Sequence, residues 1–274
     1  MGPNALPTLP VEDAAVGDDI LVEIAGTVQF DDLVRTDTAF APYFLLVVPF
    51  RQVAAIEFDG TPVEFWQTSA EVATARGTVH TRGTARGDIR LGAKFVLIRE
   101  TEILPVFSAR FLVKTATGKS YEDKRFIDAP AFFLDALASK TLLEEDGGFF
   151  RKVRVLAQLG FVTWQQGTAA QNDAISFGAA VQAVLANNLQ LELQARGYVG
   201  WQEFDKPIVA GVTATYPFDC FRIFLTLNRG ITMDAPKWEV RTGLVFFFEI
   251  PYLSRQVATP ANAAGHSPVR IDAE

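Results

Sequence analysis

The chain has 274 residues, of which 49% are hydrophobic and 21% are charged, and its formal net charge is −7. This composition is too apolar for a disordered chain, and an acidic chain with scattered positive residues argues against a nucleic-acid-binding protein. The mean hydropathy is +0.16, yet no apolar run reaches the roughly 18 residues that a membrane helix needs. Cys220 is the only cysteine, which excludes an internal disulfide and a cysteine-based metal site.

The first 19 residues, Met1–Asp19, lack a basic region followed by an apolar stretch, so they do not form a signal peptide. Because an exported protein requires such a peptide, we expect the chain to be the mature protein with a start methionine. We predict that Met1–Asp19 forms an N-terminal segment in the periplasm.

From Ile20 onward the chain alternates between apolar and polar residues, as strands do when successive side chains point to opposite faces of a sheet. In one segment Phe107, Ala109 and Phe111 alternate with Ser108 and Arg110. The pattern predicts about twelve strands: Ile20–Phe30, Phe40–Phe50, Val53–Gln67, Asp88–Leu97, Phe107–Lys114, Phe132–Ser139, Arg151–Trp164, Ala174–Leu185, Leu189–Val199, Ile208–Tyr216, Phe221–Asn228 and Trp238–Ile250.

The lengths of the strands and of their connections favour a membrane barrel. Several predicted strands are about twice as long as the roughly 5–6 residues typical of soluble proteins, and they match the roughly 9–11 residues of a tilted transmembrane strand. Short and long connections alternate, as in outer-membrane barrels. The short ones are Phe50–Gln52, Arg99–Leu104, Ala186–Asn188 and Pro217–Cys220; the long ones are Asp31–Thr38, Thr68–Gly87, Thr115–Ala129, Gln165–Asn172, Gln202–Pro207 and Gly230–Lys237; Thr141–Gly148 is long for its class.

We therefore predict an all-β fold: a single transmembrane, antiparallel, up-and-down β-barrel over residues 20–250, in a bacterial outer membrane. An even number of strands places both termini on the periplasmic side. Pro251–Glu274 is rich in Pro, Ala and Ser, which predicts a flexible tail.

Four tryptophans fall where a predicted strand meets a long loop, namely Trp66, Trp164, Trp201 and Trp238. Tryptophan favours the membrane–water interface, so we predict these four as interface aromatics. Strict alternation nevertheless points Trp66 and Trp164 inward. The alternative to interface placement is ordinary aromatic packing in a core.

The two faces of each strand differ in kind. The apolar face is nearly free of charge, whereas the other face mixes charged residues with Gly, Ala, Gln and Ser, as a crowded lumen does. We predict that the apolar face contacts lipid. The alternative is a soluble β protein in which the apolar face is buried.

The alternation places thirteen charged residues on the inward face of the strands, and nine of them are positive. Rings of Arg or Lys select anions, so these residues are the candidate pathway; the alternative is that their salt bridges simply fill a narrow interior. They are Asp88, Arg90, Lys94, Arg110, Lys114, Asp135, Lys152, Arg154, Glu192, Arg196, Arg222, Glu239 and Arg241.

Two stretches resemble a bacterial outer-membrane family named for the MetA pathway of phenol degradation. They are GDIRLGAKFVLIRETEILPVFSARFLVKTATGK (Gly87–Lys119) and NDAISFGAAVQAVLANNLQLELQARGY (Asn172–Tyr198). The resemblance implies a porin or transporter for hydrophobic or aromatic compounds. The chain departs from outer-membrane barrels in general because a polar tail follows its last strand, Gly243–Ile250.

We expect no catalytic machinery, no metal and no cofactor. Both histidines, His80 and His266, fall in segments predicted to be flexible, whereas a hydrolase needs a fixed base next to its nucleophile. A calcium site from Glu122, Asp123 and Asp128 is the alternative to a solvated, self-paired charge run, which is the favoured interpretation. No nucleotide-binding or zinc motif is present.

The leading hypothesis is passive passage of small molecules, hydrophobic, aromatic or anionic, across the outer membrane. The expected partners are outer-membrane lipids and small solutes. A non-transporting barrel closed by its own salt bridges, which binds a protein through its loops or its tail, is the second hypothesis. A soluble β protein that binds an apolar ligand is the third.

Overall fold

The computed structural model describes residues 6, 8–31, 37–119, 125–127, 129–145, 147–165, 171–201 and 206–249. Within them lie fourteen strands and a short helix, α1 (Ala70–Arg76). The strands are β1 (Ile20–Phe30), β2 (Thr38–Phe50), β3 (Ala54–Gly60), β4 (Val63–Gln67), β5 (Arg82–Arg86), β6 (Ile89–Ile98), β7 (Val106–Lys114), β8 (Ala131–Glu144), β9 (Phe150–Gln165), β10 (Gln171–Leu185), β11 (Gln190–Gly200), β12 (Ile208–Pro217), β13 (Phe221–Gly230) and β14 (Trp238–Phe248).

The strands close into a twelve-stranded antiparallel barrel with up-and-down topology. Closure occurs at β1, which pairs with β2 on one side and with β14 on the other. The count is twelve because β3 continues into β4, and β5 continues into β6, each across a two-residue interruption. Beyond its pairing with β3, strand β2 pairs with β4 through Thr38–Phe40. The predicted fold class is confirmed.

Side chains alternate between the outer surface and the interior, with apolar groups outside. In β8, Phe132 and Leu134 are exposed whereas Phe133 and Asp135 are buried. The exposed apolar side chains recur around the wall, for example Ile24, Leu91, Leu134, Leu159, Leu193 and Leu225. A belt of this kind suits lipid rather than water, so the soluble β alternative is wrong. In the described chain, no helix has the length and hydropathy needed to cross a bilayer.

The two ends of the barrel differ in their connections. One end, here called the short-turn end, carries connections such as 51–53 and 218–220; the other, the long-loop end, carries 68–81 and 115–130. β1 begins and β14 finishes at the short-turn end. The predicted tail, Pro251–Glu274, lies outside the described residues.

The structure corrects two details of the predicted strands. The predicted strand Val53–Gln67 is divided into β3 and β4 at Thr61 and Pro62, because proline has no N–H to donate to the ladder. The predicted loop Thr68–Gly87 contains helix α1 and strand β5. The Ser69 side chain caps the start of α1, and Gly77 ends it with a φ of 73°.

The connection Thr141–Gly148, predicted to be unusually long, is shorter than expected. Strand β8 continues to Glu144, and a register shift between Thr141 and Leu143 keeps it paired with β9. The next strand begins at Phe150, so this connection belongs with the other short turns.

The outward apolar belt generates a stability prediction. We expect Leu225→Arg, at an exposed position in the middle of β13, to destabilise the barrel by about 2–4 kcal/mol, since it places a charge near the bilayer midplane. Equilibrium unfolding in lipid vesicles measures the change. Val79→Arg, in an exposed loop, is the matched control and should leave stability unchanged; an equal loss in both variants would contradict a lipid-facing Leu225.

Candidate functional site

The lumen contains charged side chains that are paired with one another across neighbouring strands. Arg110 on β7 donates to Asp135 on β8 at 2.8 Å, and both side chains are almost completely buried. Lys114 pairs with Asp88 at 2.5 Å, and Arg90 forms an ion pair with Asp59 of β3. Such pairing satisfies charges that would be costly to bury alone.

The N-terminal segment, residues 6 and 8–16, occupies this lumen; we call it the plug. Near the short-turn end, the backbone N–H of Ala14 donates to Ser139 Oγ at 3.2 Å, and Ser108 Oγ donates to the Ala14 carbonyl at 2.5 Å. Toward the long-loop end, Tyr198 Oη donates to the Leu6 carbonyl at 3.0 Å. The plug therefore runs lengthwise through the barrel, whereas the sequence predicted Met1–Asp19 as a periplasmic segment.

Two acidic residues of the plug contact the positive residues of the wall. Glu12 forms an ion pair with Arg110 and lies 3.3 Å from Lys94 Nζ. Asp13 lies 2.9 Å from Arg154 Nε and accepts a 2.5 Å hydrogen bond from Ser139. These charges explain the location of the plug, because wall cations in the lumen need counter-charges.

The plug also packs through apolar side chains at three heights of the barrel. Ala14 lies against Val106 and Leu137 near the short turns, and Val11 lies against Leu156 and Ala180. A Cβ at Gly178 would come within 2.6 Å of Val11 Cγ2, so Val11 in this position leaves no room for a side chain at residue 178. Nearest the long loops, one cluster joins the plug to the wall and to the loop after β7: Leu6, Leu9, Leu112, Ile127, Ala131, Phe133, Val162, Trp164, Ala174 and Tyr198.

Arg154 links the plug to the short-turn end. Besides Asp13, it contacts Glu100 in the turn after β6, with 3.0 Å between Nη1 and Oε2. Glu100 also accepts a 2.7 Å hydrogen bond from the backbone N–H of Thr141. Partial burial acts to raise the pKa of Glu100, but this hydrogen bond and the charge of Arg154 outweigh it, so that the pKa lies below its usual value. Glu100 therefore stays ionised at neutral pH.

Of the thirteen predicted lumen residues, seven are buried in the structure. Those seven are Asp88, Arg90, Lys94, Arg110, Lys114, Asp135 and Arg196. Six are partly exposed: Lys152, Arg154, Glu192, Arg222, Glu239 and Arg241.

The partly exposed members have partners of several kinds. Arg241 forms an ion pair with Glu23 and lies 4.0 Å above the Tyr43 ring. Arg222 lies 4.3 Å above Phe247. The remaining contacts are Lys152 with Glu144 at 3.0 Å, Gln182 donating to Glu192 at 2.7 Å, and Arg196 with Glu239 at 3.5 Å.

Most of the acidic partners of these cations are not among the predicted lumen residues. Four of them lie on β1, β3 and β4, where the alternation of apolar and polar residues is irregular: Glu23, Glu57, Asp59 and Glu64. Others lie outside strands, where no alternation exists. Through them the predicted positive excess is offset by nearby carboxylates. A preference for anions stays a prediction.

The four predicted interface tryptophans fall into two groups. Trp201 is exposed, and Trp238 is partly exposed under the Arg229 guanidinium at 4.6 Å. Trp66 and Trp164 are buried inside the barrel, so the interface prediction is wrong for these two, and the inward parity of their strands is the reason.

One cavity in the lumen is small. Between the plug and the wall lies a cavity of about 70 Å³, enough for a few water molecules. Its lining includes polar and charged side chains from the plug, β1, β2, β6, β11 and β14, among them Thr8, Tyr43, Arg90, Arg196, Glu239 and Arg241.

Other residues considered from the sequence lie apart from the lumen or cannot be placed. His80 is exposed in the loop after α1, and Cys220 is exposed in the short turn before β13. Glu122, Asp123, Asp128 and His266 lie outside the described residues.

Comparison with known proteins places this architecture among outer-membrane barrels. The COG4313 outer membrane channel from Pseudomonas putida F1 has a TM-score of 0.64 and 14% identity, over 88% of this chain and 97% of that chain. The KdgM porin, solved in complex with disordered oligogalacturonate, has a TM-score of 0.54 and 7% identity, over 83% and 99%. No protein-family model and no curated protein matches the sequence. These likenesses show a shared fold, and the resemblance to the phenol-degradation family stays a prediction.

The Arg110 cluster allows a test of the paired lumen. We expect Asp135→Leu to destabilise the barrel by about 3–5 kcal/mol, because it leaves Arg110 buried with Glu12 alone. Equilibrium unfolding in detergent measures the loss, and adding Arg110→Met should recover part of it. Lys152→Met, which breaks the exposed pair with Glu144, is the matched control and should cost no more than about 1 kcal/mol. Equal losses at the two sites would contradict the buried pair.

Proposed function

We propose that the chain is a bacterial outer-membrane barrel that lets small molecules pass without covalent chemistry, and that the plug closes it at rest. The observation that carries the proposal is that a segment outside the wall, the plug, runs through the lumen and contacts the wall at several heights. Among the described residues, the plug contributes no strand to the sheet. It can therefore leave the lumen without breaking the hydrogen-bonded ladder that closes the barrel.

The contacts of the plug support displacement. The hydrogen bonds that join it to the wall use side chains at separate points, such as Val11 N–H to Gln194 at 3.5 Å and Arg196 to Thr8 at 3.3 Å. A neutral bond contributes about 0.5–1.5 kcal/mol net and one to a charged group about 1.5–3 kcal/mol, and separate bonds can break one at a time, unlike the continuous pairing of a strand. Because the residual cavity holds only a few waters, solutes larger than water need the plug to move.

The lining bears on the class of solute. From the middle of the wall toward the short-turn end, the inward positions of β2 and β14 carry Tyr43, Leu45, Val47 and Phe247, all partly exposed. This lining supports solutes with an aromatic or aliphatic part. The charge of the lining gives less support to anionic solutes, because the nearby Arg241 already pairs with Glu23.

We further propose the orientation that barrels of this kind adopt, with the short turns facing the periplasm. Both ends of the barrel domain would then lie on the periplasmic side, and lipids would surround the belt of exposed Leu, Ile and Phe. We also propose the long loops or the tail as the place where a protein partner binds.

The alternative function is a non-transporting structural barrel. The paired charges and the filled lumen favour it, because a barrel packed in this way needs no transported solute to explain its interior. The two functions differ in whether the plug ever leaves.

Deleting residues 8–16 distinguishes them. We expect the deletion to raise single-channel conductance in planar bilayers at least several-fold, and to speed the swelling of liposomes in small neutral solutes. Circular dichroism and heat-modifiable mobility on gels show whether the deleted barrel is folded. A folded deletion variant that carries no current would contradict transport and favour the structural barrel.

A reversible lock provides the matched control within the full chain. Val11→Cys with Gly178→Cys, in a Cys220→Ser background, places two thiols where the side chain of Val11 meets Gly178. We expect the oxidised protein to stay closed and the reduced protein to recover its openings. Unchanged gating after complete oxidation would show that solutes pass without movement of the plug.

A further inference from the structure

The loop after β7 enters the barrel at the long-loop end and buries a charged side chain there. Arg125 has no exposed surface. Its Nε lies 2.5 Å from Glu64 of β4, and its Nη1 lies 3.2 Å from Asp37, just before β2. One loop residue therefore joins the start of β2 to the start of β4.

The next loop residue adds apolar contacts on the same side of the mouth. Phe126 is almost completely buried and packs with Ala39, Trp66 and Ala85. Arg125 lies over the Trp66 ring, 5.4 Å from its centroid, where a cation–π interaction adds to the ion pairs. Trp66 therefore contacts this part of the loop through both Arg125 and Phe126.

The loop is also held at its base. Lys114, the last residue of β7, donates to the carbonyls of Ile127 at 3.4 Å and Ala129 at 2.9 Å. Asp88, which pairs with Lys114, accepts a 2.6 Å hydrogen bond from the N–H of Gly118. Both sides of the loop are therefore fastened to β6 and β7.

Ile127 connects the loop to the plug. It is buried in the same apolar cluster as Leu6 and Leu9. When the plug leaves, the cluster around Ile127 loses these two leucines, while Arg125 and Phe126 keep their contacts with the wall. The two closures touch but have separate anchors.

We infer that residues 125–127 form a second closure of the pathway, in series with the plug and latched by Arg125. This inference rests on the proposed transport function. Opening of the long-loop end then requires release of Arg125 from Asp37 and Glu64 as well as displacement of the plug.

The latch has a physical weak point. Removing Arg125 takes one cation away from Asp37 and Glu64 in a mouth where the loop excludes water, and losing a cation partner destabilises a buried carboxylate. The closed position of the loop then loses stability, because only outward movement lets water reach the carboxylates. Arg125→Ala is therefore expected to release the loop.

The test measures conductance in planar bilayers for the full chain, Arg125→Ala, the 8–16 deletion and the combination. We expect Arg125→Ala alone to stay near the conductance of the full chain, because the plug remains. The combination should exceed the deletion alone by at least threefold. Lys119→Ala, on an exposed residue of the same loop, is the matched control and should leave the deletion variant unchanged.

The outcomes separate the two proposals. Current in the deletion variant that Arg125→Ala does not increase would overturn the second closure and leave the transport proposal standing. Silence in all four proteins, with folded barrels, would overturn both.

A thiol lock tests the loop without relying on the loss of Arg125. Ala39→Cys with Phe126→Cys places two thiols in one buried apolar cluster, in a deletion variant that also carries Cys220→Ser. We expect low conductance after oxidation and a several-fold rise after reduction. Equal conductance in both redox states, with the disulfide confirmed by mass spectrometry, would show that the loop does not obstruct the pathway.

Discussion

The ion pairs around Arg110 constrain the interior of this barrel more than any other interaction. A guanidinium held inside a closed sheet has to find its counter-charges within the lumen, and Arg110 takes one from the wall, Asp135, and one from the plug, Glu12. The wall and the plug are therefore specified together. Without Glu12 the lumen would keep the same strands but would have less reason to accept a segment of the chain.

Much of the fold could be predicted because the strands are long and their parity is regular. In β7 the inward positions Ser108, Arg110 and Lys114 are all buried, as the alternation requires. Prediction failed where local chemistry overrides the two-residue alternation of strands. Pro62 interrupts the long strand that continues from β3 into β4, and Ser69 and Gly77 cap a helix inside a long loop. Those capping signals are present in the sequence, since serine before a helix and glycine after it are common, but one short helix is a weak pattern beside twelve strands.

The candidate site was predictable only in part, for a different physical reason. Inward cations such as Lys94 and Arg154 lie on regular strands, whereas their partners Glu12 and Asp13 lie in an extended segment with no ladder and no period. One signal was available nevertheless. An excess of positive charge in a narrow interior is energetically unfavourable, so the apparent excess itself indicated that acidic residues from elsewhere had to enter the lumen.

Charge and apolar contact have different tasks in the two closures. A buried ion pair gains little net free energy over the hydrated ions, because the cost of removing both charges from water offsets much of their attraction. Such pairs fix position: Glu12 opposite Arg110, and Arg125 opposite Glu64. Burial of Leu6, Leu9 and Ile127 in one cluster supplies affinity, since the removal of apolar area from water contributes about 25 cal/mol per Å². Because the plug and the loop share that cluster, displacement of either one exposes apolar surface of the other. Their openings are therefore coupled through a common apolar contact, although each has its own charged anchor.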